Sequence, residues 1–150
     1  MSIEEQIKTN KIAVHKKALI NTIYTANFIN DEISVALKPF EISIQQFNVL
    51  RILKGQKDKP ANLSTIQERM VSKMSNTTRI VDKLIEKDLV SRSTCKHNRR
   101  KVEILITEEG KKFLDQINKK IEQKEITLTK NLNTEELNHI NQLLDKLRES

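Results

Sequence analysis

Residues that break helices or cross-link chains are scarce in this protein. Its 150 residues include two glycines, two prolines, one cysteine and no tryptophan. Because glycine and proline mark loops, their scarcity predicts a mostly α fold with short connections. A single cysteine cannot form an intrachain disulfide, which is typical of proteins of the reducing cytoplasm.

Long apolar runs are missing as well. No stretch approaches the roughly 20 apolar residues that a membrane-spanning helix requires. The amino-terminal sequence MSIEEQIKTN lacks the apolar region of a signal peptide. We therefore expect a cytoplasmic protein with no membrane partner.

The motifs of common enzyme classes are also absent from the sequence. His15, His97 and His139 are scattered, without the spacing of metal ligands. There is no glycine-rich phosphate loop and no G-x-S-x-G elbow. Pairs of acids, Glu108-Glu109 and Glu135-Glu136, stand at predicted helix starts, where they complement the helix dipole. We expect no catalysis, no metal site and no cofactor.

Positive charge is concentrated in one part of the chain. The formal net charge is +7, with a pI near 9.5. Between Arg69 and Lys101 there are 10 Lys or Arg and 3 acidic residues, and 10 − 3 equals the whole excess of +7. Such a concentration favours a polyanionic partner.

The stretch from Leu63 to Thr107 has the pattern of a helix, a turn, a second helix and two strands. Ser64 and Gln67 have the spacing of a capping box for the first helix, and Ser72 or Ser75 can cap the second. At 3.6 residues per turn, the second helix is apolar on one side and polar on the other. The apolar side holds Ile80, Val81, Leu84 and Ile85, with Met74 and Thr77 at its margins, and the polar side holds Ser72, Ser75, Asn76, Arg79 and Lys83. Such polar side chains bind base edges and phosphates, although a solvated amphipathic helix would have the same pattern.

The two predicted strands enclose a basic hairpin. Leu89 to Cys95 and Val102 to Ile106 alternate in polarity, as strands do. Between them, Lys96–Lys101 places four cations in six residues. A basic hairpin beside a helix-turn-helix is a wing, whose expected partner is the DNA backbone or minor groove.

These segments resemble those of the MarR (multiple-antibiotic-resistance regulator) family of winged-helix regulators. The matching segments are QQFNVLRIL, for the helix before the helix-turn-helix, SNTTRIVDKLIEKDLVSR, for the recognition helix and first wing strand, and NRRKVEILITEEG, for the wing and return strand. The resemblance implies a mostly α winged helix-turn-helix with a two-stranded β-hairpin wing and long N- and C-terminal dimerisation helices. Two positions depart from the family pattern. Asn98 stands where an aspartate usually orients the wing arginine, matched here by Arg100, and Asp88 stands where a glycine usually follows the recognition helix.

The resemblance also implies a domain organisation and a function. A single domain, residues 1–150, would have its winged-helix core at about 44–107 and its dimerisation helices at about 3–38 and 108–150. We expect a homodimeric repressor that binds a pseudo-palindromic operator in double-stranded DNA through the helix from about Ser75 to Glu86. The predicted DNA-binding residues are Ser75, Asn76, Thr78, Arg79 and Lys83 on the helix and Asn98, Arg99, Arg100 and Lys101 on the wing.

The predicted terminal helices carry apolar seams. The first runs from about Ile7 to Leu37 and ends before Pro39. Two more are expected at the other end, one starting after Thr107 and one after Asn133 or Thr134. Their seams predict a dimer surface; the alternative is a closed monomeric bundle.

The functional roles of four further residues are less direct. The resemblance also implies release from DNA by a small aromatic or phenolic effector. His15, Tyr24 and Phe28 could line its pocket between the dimerisation helices and the winged domain, or Tyr24 and Phe28 could belong to the core. Cys95 lies near cations that favour its thiolate, but we expect a strand residue without a redox role.

A different class of function remains open on sequence grounds. The same fold could serve as an adaptor that binds protein or RNA rather than operator DNA. The polar helix face favours DNA, because the major groove of A-form RNA is too narrow for a helix.

Overall fold

The structure, a computed structural model, describes residues 1–95 and 97–149 of the chain. These residues form seven α-helices and a two-stranded antiparallel sheet. In chain order the elements are α1 (Ile3–Gln6), α2 (Val14–Leu37), a 3₁₀ turn (Lys38–Phe40), α3 (Ile44–Gly55), α4 (Leu63–Arg69), α5 (Thr77–Glu86), β1 (Val90–Cys95), β2 (Asn98–Ile106), α6 (Glu108–Thr129) and α7 (Thr134–Arg148). The mostly α winged helix-turn-helix with a β-hairpin wing is thus confirmed.

The first long helix begins later than the sequence pattern predicted. It starts at Val14, and the residues before it form the separate short helix α1 and a turn. Lys8 has a φ of 53°, in the left-handed region, which ends any helix that reaches it. The predicted start at about Ile7 is therefore wrong, whereas the predicted end at Leu37 is confirmed.

Helix α1 packs against α2. Ile3 is buried there, and Glu4 forms an ion pair with Lys17 at 3.0 Å. The hydrogen bond from Lys17 lowers the pKa of Glu4 from its ordinary value. The Tyr24 hydroxyl donates to Gln6 Oε1 at 3.1 Å, which adds a second polar contact between α1 and α2.

The hydrophobic core lies where α3, α4, α5, α6 and the sheet meet at the carboxyl end of α2. Its fully buried side chains come from every one of these elements. They include Leu37, Val49, Leu50, Ile66, Val81, Leu84, Ile104 and Ile117. Each helix thus packs one face into the core, which holds the winged helix-turn-helix together as one packed unit.

The sheet is wider at one point than the two predicted strands. Val90 pairs with Ile106, and the register continues to Thr94 opposite Val102, after which it becomes irregular. Ala61 forms an isolated antiparallel bridge with Ile104, with N–H to O distances of 3.0 and 2.8 Å. This bridge attaches the segment before α4 to the wing.

Helices α3, α6 and α7 each begin at a side-chain cap, the last two where the sequence predicted a helix start. Ser43 and Gln46 form a reciprocal capping box at α3, Thr107 accepts from Gly110 N at α6, and Asn133 accepts from Glu136 N at α7. The predicted cap of α4 at Ser64 is wrong. Asn62 Oδ1 accepts from Thr65 N at 2.8 Å, and the Ser64 hydroxyl donates to the same oxygen.

In the described part of the chain, no helix combines the length and the apolar character needed to span a membrane.

Candidate nucleic-acid interface

Helix α5 starts two residues later than predicted because Asn76 caps it. Asn76 Oδ1 accepts a hydrogen bond from Arg79 N at 3.2 Å, so the predicted caps Ser72 and Ser75 are wrong. An asparagine at this position satisfies an amide that the first turn leaves unpaired. Its side-chain NH₂ group is left for other partners.

The turn between α4 and α5 is held by two side chains from neighbouring helices. Gln67 Nε2 donates to Lys73 O at 2.9 Å, and Gln67 Oε1 accepts from the buried hydroxyl of Thr77. Asn48 Oδ1 accepts from Val71 N at 2.9 Å. These bonds fix the position of α5 relative to α3 and α4.

The apolar side of α5 faces the core, as the sequence predicted. Val81 and Leu84 are fully buried, while Ile80 and Ile85 are half-buried. The opposite side is exposed and carries Asn76, Thr78, Arg79 and Lys83. Burial of the apolar side therefore turns these polar residues towards solvent.

An open groove of about 520 Å³ lies along this exposed side. One wall belongs to α5 and the preceding turn, and the other to the amino-terminal end of α3. The lining residues are Ser72, Met74, Ser75, Asn76, Arg79, Ile80 and Lys83 on one side and Ser43, Gln45 and Gln46 on the other. The groove therefore combines two cations with hydroxyl and amide groups.

The structure separates the predicted helix residues into two kinds. Asn76, Thr78, Arg79 and Lys83 are exposed, whereas Ser75 is half-buried and its hydroxyl oxygen is fully buried. Ser75 N donates to Ser72 O at 3.3 Å within the turn. Ser75 thus lies beside the exposed residues without presenting its hydroxyl to solvent.

The wing is joined to α5 by an ion pair. Arg92 Nη1 on β1 lies 3.2 Å from Asp82 Oδ1 on α5. Lys101 is exposed on β2. The structure does not describe the side chains of Cys95, Asn98, Arg99 and Arg100, so the roles predicted for them stay predictions. Cys95 lies in β1, as predicted.

Two of the three predicted effector residues lie beside the amino-terminal segment of the chain. Tyr24 and Phe28 line a cavity of about 340 Å³ together with Met1, Ile3 and Gln6 of the amino-terminal segment. Both aromatic side chains are exposed, so the alternative that they are core residues is wrong. His15 is exposed in the first turn of α2 and is not among the lining residues of this cavity.

The sequence pattern misplaced two residues at this interface, Met74 and Gln67. Met74 was placed at the margin of the apolar side, but it is among the most exposed side chains and lines the groove. Gln67 was interpreted as half of a capping box, whereas it bridges the turn. The one available signal was that Met74 precedes α5 and so lies outside its helical period.

Comparison with known proteins agrees with this geometry. The model of the MarR family matches residues 42–102, which contain α3, α4, α5, β1 and the first half of β2. Over 92 residues the chain is 35% identical to the HTH-type transcriptional regulator YpoP of Bacillus subtilis (strain 168). The segment from residue 42 to residue 102 therefore matches the MarR family. The match to YpoP spans 61% of this chain and 63% of the relative, which is less than two thirds of its length.

Solved MarR-family structures share the fold over almost the whole chain. BpsR of Bordetella bronchiseptica, solved in a study of the regulation of its DNA binding by 6-hydroxynicotinic acid, has a TM-score of 0.81 at 18% identity and covers 94% of this chain and 99% of its own. A mutant MarR of E. coli complexed with operator DNA has a TM-score of 0.76 at 21% identity, covering 99% and 100%. At such identities the likeness shows the fold alone.

One departure from the MarR-family pattern has a visible structural cost. Asp88, where the family usually has glycine, has a φ of 60°. A residue other than glycine is strained at a φ in this left-handed region. The Asp88 carbonyl accepts from the Thr107 hydroxyl at 2.7 Å, which ties the junction after α5 to the start of α6.

Proposed function

We propose that this chain is a transcription regulator of the MarR family that binds double-stranded DNA in a sequence-specific manner. The observation that carries the proposal is the exposed side of α5, where Asn76, Arg79 and Lys83 line one open groove. Amide and guanidinium groups form the commonest specific contacts with bases in the major groove, which admits an α-helix. A MarR of the same fold has been solved in complex with operator DNA.

Each exposed residue has a role that follows from its chemistry. Arg79, in the first half of α5, takes the two acceptors of a guanine, and the free NH₂ of Asn76 donates to a base edge. Thr78 contacts the groove edge, and Lys83, one turn further along α5, binds phosphate. Ser75 positions the turn rather than touching a base, because its hydroxyl is buried.

We assign the wing to the adjacent minor groove and backbone. Asn98, Arg99, Arg100 and Lys101 lie in β2, which begins at the hairpin tip. The positive charge of the three basic residues suits phosphates and the narrow groove that a hairpin reaches. The Arg92–Asp82 ion pair supports this geometry because it joins the wing to the helix that enters the major groove.

The active form in this proposal is a homodimer. Helix α7 has no buried residue, and α2 exposes a row of large apolar side chains. Exposed apolar faces of this extent favour association. A twofold dimer presents two α5 helices to a pseudo-palindromic operator with half-sites roughly 10 bp apart.

A small-molecule effector completes the proposal. BpsR, of the same fold, has its DNA binding regulated by 6-hydroxynicotinic acid. We infer that a small aromatic or phenolic compound releases this chain, as a repressor, from its operator. The cavity beside Tyr24 and Phe28 has the aromatic walls and the phenol that such a compound would contact, and His15 lies outside it.

The rival function is an adaptor that binds RNA or protein through the same fold. RNA in A-form would exclude α5 from its major groove and leave Arg79 and Asn76 without base partners. A DNA regulator therefore depends on these residues for sequence preference, whereas an adaptor does not.

The experiment that tests the function compares two arginine variants on two duplexes. Arg79→Ala should weaken binding to the preferred duplex by about 1–3 kcal/mol per half-site and affect random DNA much less. Arg100→Ala should weaken both more evenly and reduce the slope of affinity against salt by about one unit for each phosphate that Arg100 neutralises. Binding of each variant is measured on both duplexes across a salt series.

A matched control removes a cation elsewhere. Lys112 is exposed at the start of α6 and does not line the groove. Lys112→Ala should leave the preference for the selected duplex unchanged. Equal weakening on both duplexes for Arg79→Ala would contradict base reading and leave a basic surface without sequence preference.

A further inference from the structure

Met74 is an apolar side chain with no place in the core. It is 95% exposed, whereas Met70, four residues earlier, is 2% exposed and packs inside. Met74 lies in the turn immediately before α5, so neither the helix period nor the packing of α5 accounts for its side chain. Its long thioether side chain is therefore available to a partner outside the chain.

The position of Met74 is fixed, and it faces the proposed DNA groove. It lines that groove together with Asn76, Arg79 and Lys83. The residue before it, Lys73, accepts a hydrogen bond from Gln67 at 2.9 Å, and the residue after it, Ser75, donates to Ser72 O at 3.3 Å. Because both neighbours are held, Met74 is presented at a defined place beside the amino-terminal end of α5.

The chemistry of Met74 selects one group on DNA. A thioether is at best a weak acceptor and has no donor, so phosphates and polar base edges are poor partners. Among the four bases, thymine alone places an apolar group, its 5-methyl, in the major groove. A flexible, polarizable side chain adapts well to such a small apolar contact.

We propose that Met74 reads a thymine 5-methyl group in each half-site. This thymine lies next to the base contacted by Arg79, towards the amino-terminal end of α5. This inference rests on the proposed function, since it requires α5 to enter the major groove. It adds an apolar specificity contact to the polar ones.

The turn itself offers a matched control. Val71 is 89% exposed on the same turn, yet it lines a different cavity, between α2 and α3, and not the groove of Arg79. Truncation of Val71 therefore removes a similar exposed apolar group without touching the groove. Met74→Leu keeps an apolar side chain of similar size and should keep the contact.

The experiment pairs a change in the protein with removal of the methyl group from the DNA. A preferred duplex is selected from a random pool with the wild-type chain, and each thymine is replaced in turn by deoxyuridine, which lacks only the methyl. For wild type and Met74→Leu, one replacement per half-site should weaken binding by about fourfold, the factor for one methyl-sized apolar contact. For Met74→Ala, binding to the thymine duplex should fall by at least that factor, and the same replacement should have no further effect. Val71→Ala should behave as wild type on every duplex.

The outcomes separate this inference from the proposed function. A wild-type chain that selects no duplex from the pool would contradict the function and the inference together. A selected duplex on which Met74→Ala responds to deoxyuridine as strongly as wild type would overturn the role of Met74 alone. Thermal unfolding of Met74→Ala should match wild type, because an exposed side chain contributes little to stability.

Discussion

At the scale of single residues, the two glycines stand in opposite surroundings. A Cβ added at Gly110, in the first turn of α6, would overlap the carbonyl oxygen of Leu89 and approach Ile106 Cγ1 to 2.7 Å. A Cβ added at Gly55, the last residue of α3, would meet nothing within 4 Å. Gly110 therefore allows α6 to pack closely against the start of the sheet, and Gly55 serves no such purpose.

Gly110→Ala should lower the free energy of unfolding by about 3 kcal/mol, at the upper end for overpacking, because the clash involves backbone that cannot move aside. Gly55→Ala is the control and should raise it by about 0.4–1 kcal/mol, since alanine fits this backbone conformation and lowers the entropy of the unfolded chain. Urea unfolding of the two variants and wild type measures both effects. A Gly110→Ala protein as stable as wild type would contradict the close approach.

At the scale of elements, the helix-turn-helix depends on the side chain of Gln67. One end of its amide bonds to the turn and the other to Thr77 at the start of α5. Because Thr77 is buried, loss of this partner leaves a polar group without compensation. The placement of α5 thus depends on a polar contact as well as on Val81 and Leu84.

Gln67→Met keeps the length of the side chain and removes both hydrogen bonds. We expect it to lower the free energy of unfolding by about 2 kcal/mol and Thr77→Val by about 1 kcal/mol, because Gln67 forms two of these bonds and Thr77 one. The double variant should cost less than the sum, since both changes remove the shared bond. Gln116→Met, on an exposed position of α6, is the control. Additive effects in the double variant would contradict the bond between the two side chains.

Much of the arrangement of elements could be predicted from the sequence, whereas their first residues could not. The apolar side of α5 and the two wing strands follow from periodicity, which averages over many positions. Caps depend on the conformation of one residue. Near Asn62 and Asn76, serines with the same capping chemistry lie one or two positions away, so the sequence left several candidates. Met74 was misplaced for the same reason, because a helical period was extended past the residue at which α5 begins.

The predicted binding residues show a similar division. The exposure of Arg79 and Lys83 follows from the burial of Val81 and Leu84, so pattern alone was sufficient. The burial of the Ser75 hydroxyl depends on the conformation of the turn before α5. The cavity that Tyr24 and Phe28 line depends on where α1 packs. Such contacts between segments distant in sequence, or within irregular turns, leave no periodic signal.

At the scale of the whole molecule, the two ends of the chain leave apolar surface uncovered. On α2, the exposed large apolar residues are Val14, Leu19, Ile23, Tyr24, Phe28, Ile29 and Val35. On α7 they are Ile140, Leu143 and Leu147. Since α7 buries no residue within its own chain, we expect it to be covered in the proposed homodimer.

A charge on this surface should separate the dimer without unfolding the chain. Leu143→Glu places a carboxylate in the proposed interface and should weaken dimerisation by at least about 2 kcal/mol, roughly 30-fold in dissociation constant. Gln142→Glu adds the same charge at the neighbouring exposed position and should have a small effect. Sedimentation over a concentration series measures both, with circular dichroism to verify helix content. If Leu143→Glu and wild type dimerise equally, the interface lies elsewhere.

The exposed position of α7 has a consequence for the turnover of the protein in the cell. A helix with no fully buried residue in its own chain opens readily, so its amide hydrogens exchange fast and proteases reach it first. A second copy that covers it slows both processes by mass action. Scarce protein would then be degraded from α7 faster than abundant protein, which makes its lifetime depend on its own concentration.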